Sequence, residues 1–420
     1  MGQLSVPFAR LASVDGDVAA LERTYREEAT RLRASLARRI GDVGLAEELV
    51  QDAFVEALEH WRQDGVPPNP GGWLATTARR KAIDRQRRVR AGRDKLALLA
   101  VTQERAGPPL EQPDTDAGDD LLSLVFACCH PELPADSQVA LTLRAVCGLT
   151  TAEIAAAFLA SEQAMGQRLS RARRSLREAG VPVRLPEPDE LGERLAAVLA
   201  VVYLVFNEGY LASAGRAPAR RDLAAQAVSL ARLLHRLMPR EPEVLGLLAL
   251  LLFHESRAAA RFDGWGRLVR LEDQDRRRWN AGLAAEATAL LDRAIGLRRP
   301  GPYQVQAAIA ALHTAAQDYA STDWRQIRLL YGRLQIMTPS PVVLLNLAVA
   351  TRFSVGPEAA LTELEAIAAD LDDYRLFHAV RAELLTAVGR TEEAREANER
   401  ALALAANPAE RELLTRRLNP

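Results

Sequence analysis

A chain of 420 residues with 48% hydrophobic and 26% charged side chains is long enough for two or three domains with their own cores, which excludes fibrous and disordered classes. A formal net charge of only -1 says nothing about partners by itself, because charge can be sorted between segments. Cys128, Cys129 and Cys147 cannot make a disulfide framework in a chain this size and suit a reducing cytoplasm.

The opening "MGQLSVPFAR" has no basic stretch followed by a hydrophobic core, so no secretion signal is expected. The longest apolar runs, "AAVLAVVYLVF" (196–206) and "LGLLALLLF" (245–253), fall short of the roughly 20 residues a bilayer span needs. They read as buried helices, and neither a membrane partner nor a location outside the cytoplasm is expected. Ala, Leu, Arg and Glu dominate and no alternating Val/Ile/Thr run stands between turn clusters, so the fold class is all-α. Two stretches break the helical pattern. "ERAGPPLEQPDTDAGDD" (104–120) holds six acids against one arginine, and "VPVRLPEPDE" (181–190) holds three prolines. The expected domains are residues 1–100, an acidic linker over 101–118, a second domain over 119–180 and an extension over 187–420.

In "LAEELVQDAFVEALEHW" (45–61), Leu45, Leu49, Ala53 and Ala57 step by fours toward a core, while Glu48, Asp52, Glu56 and Glu59 line the other side. Taken alone, an acidic stripe is more often simply solvated. "PGGWLATTARRKAIDRQRR" (70–88) follows. From Arg79 to Lys95 nine basic residues stand against Asp84 and Asp94, a local net charge of +7. Beyond the acidic linker, Cys128, Cys129, His130 and Cys147 could bind zinc or sense redox state, but adjacent cysteines suit one tetrahedral ion poorly and core packing is favoured, with no metal expected. In "GLTTAEIAAAFLASEQ" (148–163), Thr150 and Glu153 make a capping box, and Ser161 is placed to cap a second helix running to about Ala179. On that helix Met165, Leu169, Ala172 and Leu176 share a buried face. Gln163, Gln167, Arg171 and Arg174 share the opposite one, with Arg168 beside them, and five of the ten residues from Arg168 to Arg177 are arginine. A helix-turn-helix of this kind lays its second helix in a major groove, where Gln reads adenine, Arg reads guanine and further arginines hold phosphates. The plainer alternative is an arginine-rich solvated face on an ordinary helical hairpin.

These residues carry a family resemblance. "LTTAEIAAAFLASEQAMGQRLSRARRSLREAG" resembles the promoter-reading helix-turn-helix of extracytoplasmic-function (ECF) sigma factors, the short members of the sigma-70 family. Residues 45–61 resemble the sigma helix that docks on the clamp of core RNA polymerase, and residues 70–88 resemble the following helix, which melts the minus-10 element. The resemblance covers about residues 20–180. It implies sigma region 2 over 1–100, binding core polymerase and minus-10 DNA, and sigma region 4 over 119–180, binding the minus-35 element. By the same resemblance Glu48, Gln51, Asp52 and Glu56 form the polymerase face. Trp73 would offer a stacking surface to unpaired bases, with Arg79, Arg80, Arg85, Arg87 and Arg88 on the backbone. Gln163, Gln167, Arg168, Arg171 and Arg174 would serve the minus-35 element. Implied partners are promoter DNA and core RNA polymerase, through its beta-prime clamp and beta flap. The acidic linker would thread the channel that RNA later occupies.

Beyond Gly180, Ala227, Ala231, Leu234 and Pro239 fall at offsets that recur in Ile327, Tyr331, Leu334 and Pro339. Ala360, Leu364 and Ile367 match the first three, as do Ala394, Asn398 and Ala401, beginning 34 residues later. A 34-residue period of this kind is a tetratricopeptide (TPR) signature, so the extension is expected to be a TPR-like helical solenoid able to bind a peptide or protein. A purely supporting helical bundle is the alternative. "YLVFNEGYLAS" (203–213) and the polar stretch 251–279 resemble the extension of one ECF subgroup, in which an attached helical domain governs activity in place of a separate anti-sigma protein. His254, Glu255, Asp273 and Asp275 would be the pick of an enzymatic reading, but "HESRA" lacks a second histidine and no glycine-rich phosphate loop occurs, so neither catalysis nor a cofactor is expected. The sequence reads as a transcription initiation factor. The alternative is a helix-turn-helix regulator with a TPR-like sensor that does not recruit polymerase.

Overall fold

The computed structural model describes residues 28–97, 117–158, 160–210, 219–405 and 407–418. Every regular element among them is helical, apart from one isolated bridge between Phe262 and Leu268. The chain forms two compact units, Met1–Val201 and Val202–Pro420. Their division falls inside α8 rather than in the proline-rich 181–190 stretch, whose Val181 and Val183 are buried.

In the first unit, α1 (residues 28–40) turns through Gly41, at φ 75°, into α2 (Val43–Asp64). The Asp42 carboxylate caps α2 by accepting from the Leu45 N–H at 3.0 Å. α3 (Pro70–Ala97) opens with proline, and the Asn69 side chain accepts from the Gly72 N–H at 2.9 Å. α2 packs against α3, and Leu49, Val50, Ala53, Phe54, Ala57 and Trp61 of α2 and Leu74, Ala78 and Ala82 of α3 are among the buried residues of this unit. α4 (Ala117–Cys128) and α5 (Ala135–Ala145) support the helix-turn-helix, α6 (Thr151–Ala157) and α7 (Glu162–Glu178). The capping box forms as its sequence requires: Thr150 N–H donates to Glu153 at 2.7 Å, and Glu153 N–H donates to Thr150 Oγ1 at 3.2 Å. Cys128 and Cys129 lie in the core of this unit, and Cys129 Sγ stands 3.5 Å from the Thr142 hydroxyl. Burial pushes the Cys129 and Cys147 thiols up to about 12, well away from thiolate chemistry. Among the described residues no group of His, Cys, Asp and Glu is arranged to hold a metal ion, and no helix is long and apolar enough to cross a membrane.

α8 (Leu191–Tyr210) leads into the second unit, which contains α9 (Arg221–Leu237) and α10 (Pro242–Ser256). α10 is apolar on all sides, and it packs against α9, α11 (Ala281–Gly296) and α12 (Pro302–Ala315). Gly246 permits a close approach to α12, since a Cβ there would sit 2.7 Å from the backbone nitrogen of Gln304. α13 (Trp324–Met337) through α18 (Pro408–Leu418) continue as successively packed helices, with α15 at Pro357–Glu365, α16 at Arg375–Ala387 and α17 at Thr391–Leu404. The positions that recur in the sequence are mostly core positions: Ala227, Ala231, Leu234, Ile327, Leu334, Ala360, Leu364, Ile367, Ala394 and Ala401 are buried.

Where α10 and α12 end, two histidines lie among arginines. Burial, then the charges of Arg257 and Arg276, lowers His313 to about 4, and burial with Arg257 and Arg261 holds His254 well below its usual value. A base with a depressed folded pKa is protonated in the unfolded chain first, so stability is present above pH ~6.5 and is lost as pH falls from there toward 4. His313→Gln is expected to remove a pH-dependent loss of about 1.4 kcal/mol per pH unit across that window. Urea unfolding of both proteins at pH 7 and pH 4.5 measures it, and parallel pH slopes would refute it.

Candidate nucleic-acid interface

The acidic row of α2 and the basic row of α3 are neighbours. Lys81 donates to the Glu56 carboxylate at 2.8 Å, Arg80 also bonds Glu56, and Arg85 stands 3.6 Å from Glu48. The hydrogen bond from Lys81, with the charges of Lys81 and Arg80, holds the Glu56 carboxyl below the usual glutamate value. Gln51 and Asp52 are exposed, and among the described residues Asp52 forms no ion pair. Arg79, Arg80, Arg85, Arg87 and Arg88 are all exposed on α3. Trp73 is not a free platform. Its ring meets Trp61 edge-on at 5.8 Å and lies 5.9 Å from His60, so it is half-buried against the end of α2.

On α7 the expected burial pattern is realised, with Met165, Leu169, Ala172 and Leu176 inside. Ser161 accepts from the Ala164 N–H at 3.2 Å and fixes the helix start. Gln163, Gln167, Arg171 and Arg174 come together on the exposed face and, with Gly166 and Ser170, line a shallow open concavity. Nothing lies within 4 Å of where a Cβ on Gly166 would stand. Arg168 departs from the group. Its guanidinium lies 5.3 Å over the Phe158 ring and 3.7 Å from Asp136, so it braces α7 against α5 and the turn. Leu159, in that turn, and the linker at 101–116 lie outside the described residues.

A second set of α7 arginines lies on the flank of the helix toward α2. Glu47 is 4% exposed, and its carboxylate takes Arg144 of α5 at 2.5 Å and Arg173 of α7. Asp42, already the cap of α2, also accepts from Arg177 at 2.6 Å, and Arg38 of α1 reaches Asp120 of α4 at 3.3 Å. Thr30 Oγ1 donates to the Val146 carbonyl at 3.2 Å. The α1–α3 and α4–α7 segments are thus clasped together through charged groups, a contact that counting arginines on α7 did not anticipate. One signal was available: Val43, Glu47, Val50, Phe54, Ala57 and Trp61 step at helical spacing, so Glu47 occupies an otherwise apolar stripe.

Residues 24–92 match sigma-70 region 2 and residues 123–176 match sigma-70 region 4. These two segments of the chain are similar to the sigma-70 family. Residues 194–295 match a family of unknown function, DUF6596. The chain is 47% identical over 379 residues, 90% of each chain, to an uncharacterized protein of Rhizobium meliloti. It is 29% identical over 172 residues to the ECF RNA polymerase sigma factor SigL of Mycobacterium tuberculosis, covering 40% of this chain and 94% of SigL. It is also 28% identical over 166 residues to SigK of Mycobacterium ulcerans, covering 39% of this chain and 86% of SigK. No solved structure matches the chain.

Glu47 is expected to behave as a buried pairing carboxylate. Replacing it alone with leucine leaves Arg144 and Arg173 without their counter-charge and should cost about 3 to 5 kcal/mol. Adding Arg144→Met and Arg173→Met should recover most of that loss. Chemical denaturation of the single and triple variants tests the pairing, and an unrecovered loss in the triple would show that packing, not charge, holds the segments together.

Proposed function

We propose that this chain lends core RNA polymerase its promoter specificity. The row of Glu48, Gln51, Asp52 and Glu56 on α2 docks on the beta-prime clamp, and the region 4 segment meets the beta flap. Trp73, Arg79, Arg80, Arg85, Arg87 and Arg88 serve the minus-10 element. Gln163, Gln167, Arg171 and Arg174 read the minus-35 element, with Arg168 bracing their helix. The observation that carries this reading is the concavity on α7, where two amides and two guanidiniums face outward together around a glycine in a chain that matches sigma regions 2 and 4. Such groups read base edges bidentately.

The test is run-off transcription with purified core polymerase and a cognate promoter. Asp52→Lys, the cleanest probe of the acidic row, is expected to weaken co-purification with core polymerase at unchanged helicity. Gln167→Ala, Arg171→Ala and Arg174→Ala should each either lose about 1 to 3 kcal/mol of discrimination at one base position or weaken all sequences alike with a flatter salt slope. A protein that binds the promoter yet never co-purifies with core polymerase would be a DNA-binding regulator instead.

The clasp bears on this function. The minus-10 and minus-35 elements are about 25 base pairs apart, ~85 Å at about 3.4 Å per base pair. α3 and α7 both pack against α2, a helix of 22 residues and hence only ~33 Å long. We take the clasped form as a resting state that opens on promoter binding. Residues 187–420 are read as a built-in, TPR-like regulator that can take a peptide or protein. This is supported by the Rhizobium relative, whose match runs through the extension, whereas the SigL and SigK matches cover only 40% and 39% of the chain. Removing the extension is expected to change run-off activity: residues 1–186 and the full chain, compared at equal folded fraction across core polymerase concentrations, should differ. Matching activity would leave the extension another task.

A further inference from the structure

The end of α10, the short helical turns Ala258–Ala260 and Arg276–Arg278, and the end of α12 bring three arginines together within the second unit. Arg257 is 8% exposed. Its Nη2 lies 2.8 Å from His254 Nδ1, its guanidinium sits 5.8 Å from the Trp279 ring centre, and its Nε is buried without a partner. Arg276 lies 4.5 Å from the same ring. It donates through Nη1 to the carbonyls of His313 at 2.7 Å and Ala316 at 2.8 Å, leaving Nη2 buried and unpaired. Arg261 stacks on Tyr210 at 3.8 Å, and its Nε is likewise buried and unpaired. Trp279 Nε1 adds a further buried donor without an acceptor.

Carboxylates near this cluster are engaged elsewhere. Glu255 pairs with Arg221, Glu410 with Arg375 at 2.7 Å, Asp275 with Arg277 at 3.0 Å, and Asp263 with Arg267 at 2.7 Å. Glu410 feels the charge of Arg261, and Asp318 that of Arg276, yet among the described residues none of the three arginines forms an ion pair. A guanidinium does not shed its proton, so this charge persists at every working pH. Three buried or half-buried positive groups with unused donors are costly to leave uncompensated.

We propose that this cluster is an oxyanion-binding site, taking the phosphate or carboxylate group of a ligand between Arg257, Arg261 and Arg276. Guanidinium forks match the planar, multi-acceptor geometry of both groups. Arg257 is buried, whereas Arg261, Trp279 and Arg276 are each half-buried. The two histidines, neutral beside these charges, present no competing positive charge at neutral pH. The site lies in the extension and uses none of the groups assigned to DNA or polymerase, so it stands or falls apart from the promoter reading.

The experiment is thermal unfolding of the full chain in sodium phosphate and in sodium acetate, each against sodium chloride of equal ionic strength. The expected result is a saturable rise of a few degrees above chloride in at least one anion. A rise in phosphate alone assigns a phosphoryl group, and a rise in acetate assigns a carboxylate. Arg257→Met and Arg261→Met should each abolish that rise. In chloride each variant should melt no lower than the parent, because each deletes an unpaired charge. Should Arg257→Met fail to fold, Arg261→Met, at a half-buried position, carries the test, with equilibrium dialysis of phosphate or acetate as the second measurement. The absence of any rise above chloride, or the same rise in Arg261→Met as in the parent, overturns the proposal, since anions held by the α3 and α7 arginines would survive that substitution.

Discussion

One carboxylate organises the first unit. Glu47 sits at 4% exposure in a stripe that is otherwise apolar, where a lone charge would be expensive, and it is tolerable only because Arg144 and Arg173 arrive from two other helices. The requirement works in both directions. Arg144 comes from α5, which supports the helix-turn-helix, and Arg173 comes from α7, so the carboxylate fixes the rotation of α7 about its axis. With Met165, Leu169, Ala172 and Leu176 buried and Arg173 and Arg177 on the flank toward α2, helical spacing puts Gln163, Gln167, Arg171 and Arg174 opposite the buried face, where they are exposed. Arg144 donates at the same time to the Leu149 carbonyl at 2.9 Å, which ties the entry of the capping box to the same network.

Charge segregation explains a protein of almost zero net charge built from strongly charged elements. The basic row of α3 lies beside the acidic row of α2, and Glu56 satisfies two cations at once. With side-chain exposures of 62% for Arg80 and 53% for Arg85, these surface pairs are weak and salt-sensitive. They keep long side chains oriented while leaving the cations able to exchange partners. The arginines of α7 divide instead by depth. Arg173 is held by the buried Glu47, whereas Arg171 and Arg174 stay in the solvent.

Much of this was legible in the sequence because it is local. The Thr150–Glu153 box, the Ser161 cap and the buried face of α7 follow from spacing within one or two turns, and each forms as that spacing requires. The long-range contacts were not. Arg173 and Glu47 are 126 residues apart, and nothing in the arginine run distinguishes Arg173, which turns inward, from Arg171, which does not. Arg168 flanks the outward residues on the helical wheel, but an aromatic ring at Phe158 and a carboxylate at Asp136 lie within its reach and draw it aside. The same limit applies to the unit boundary. Prolines mark 181–190 as non-helical, yet Val181 and Val183 still find apolar cover, and contact density changes only within α8.

The stretch 251–279 shows why residue type alone misleads in a polar segment. Read as a list, His254, Glu255, Asp273 and Asp275 look like ligands. In space the carboxylates turn to arginines, Glu255 to Arg221 and Asp275 to Arg277, while His254 packs against Arg257 and the rings of Phe206 and Tyr210. What remains at the centre is positive and aromatic. A metal ion would be repelled from such a place, whereas the guanidiniums lie against the rings of Trp279 and Tyr210 and keep some buried donors without acceptors. The chemistry of the segment is therefore set by which charges are left over after local pairing, and in this unit the surplus is arginine.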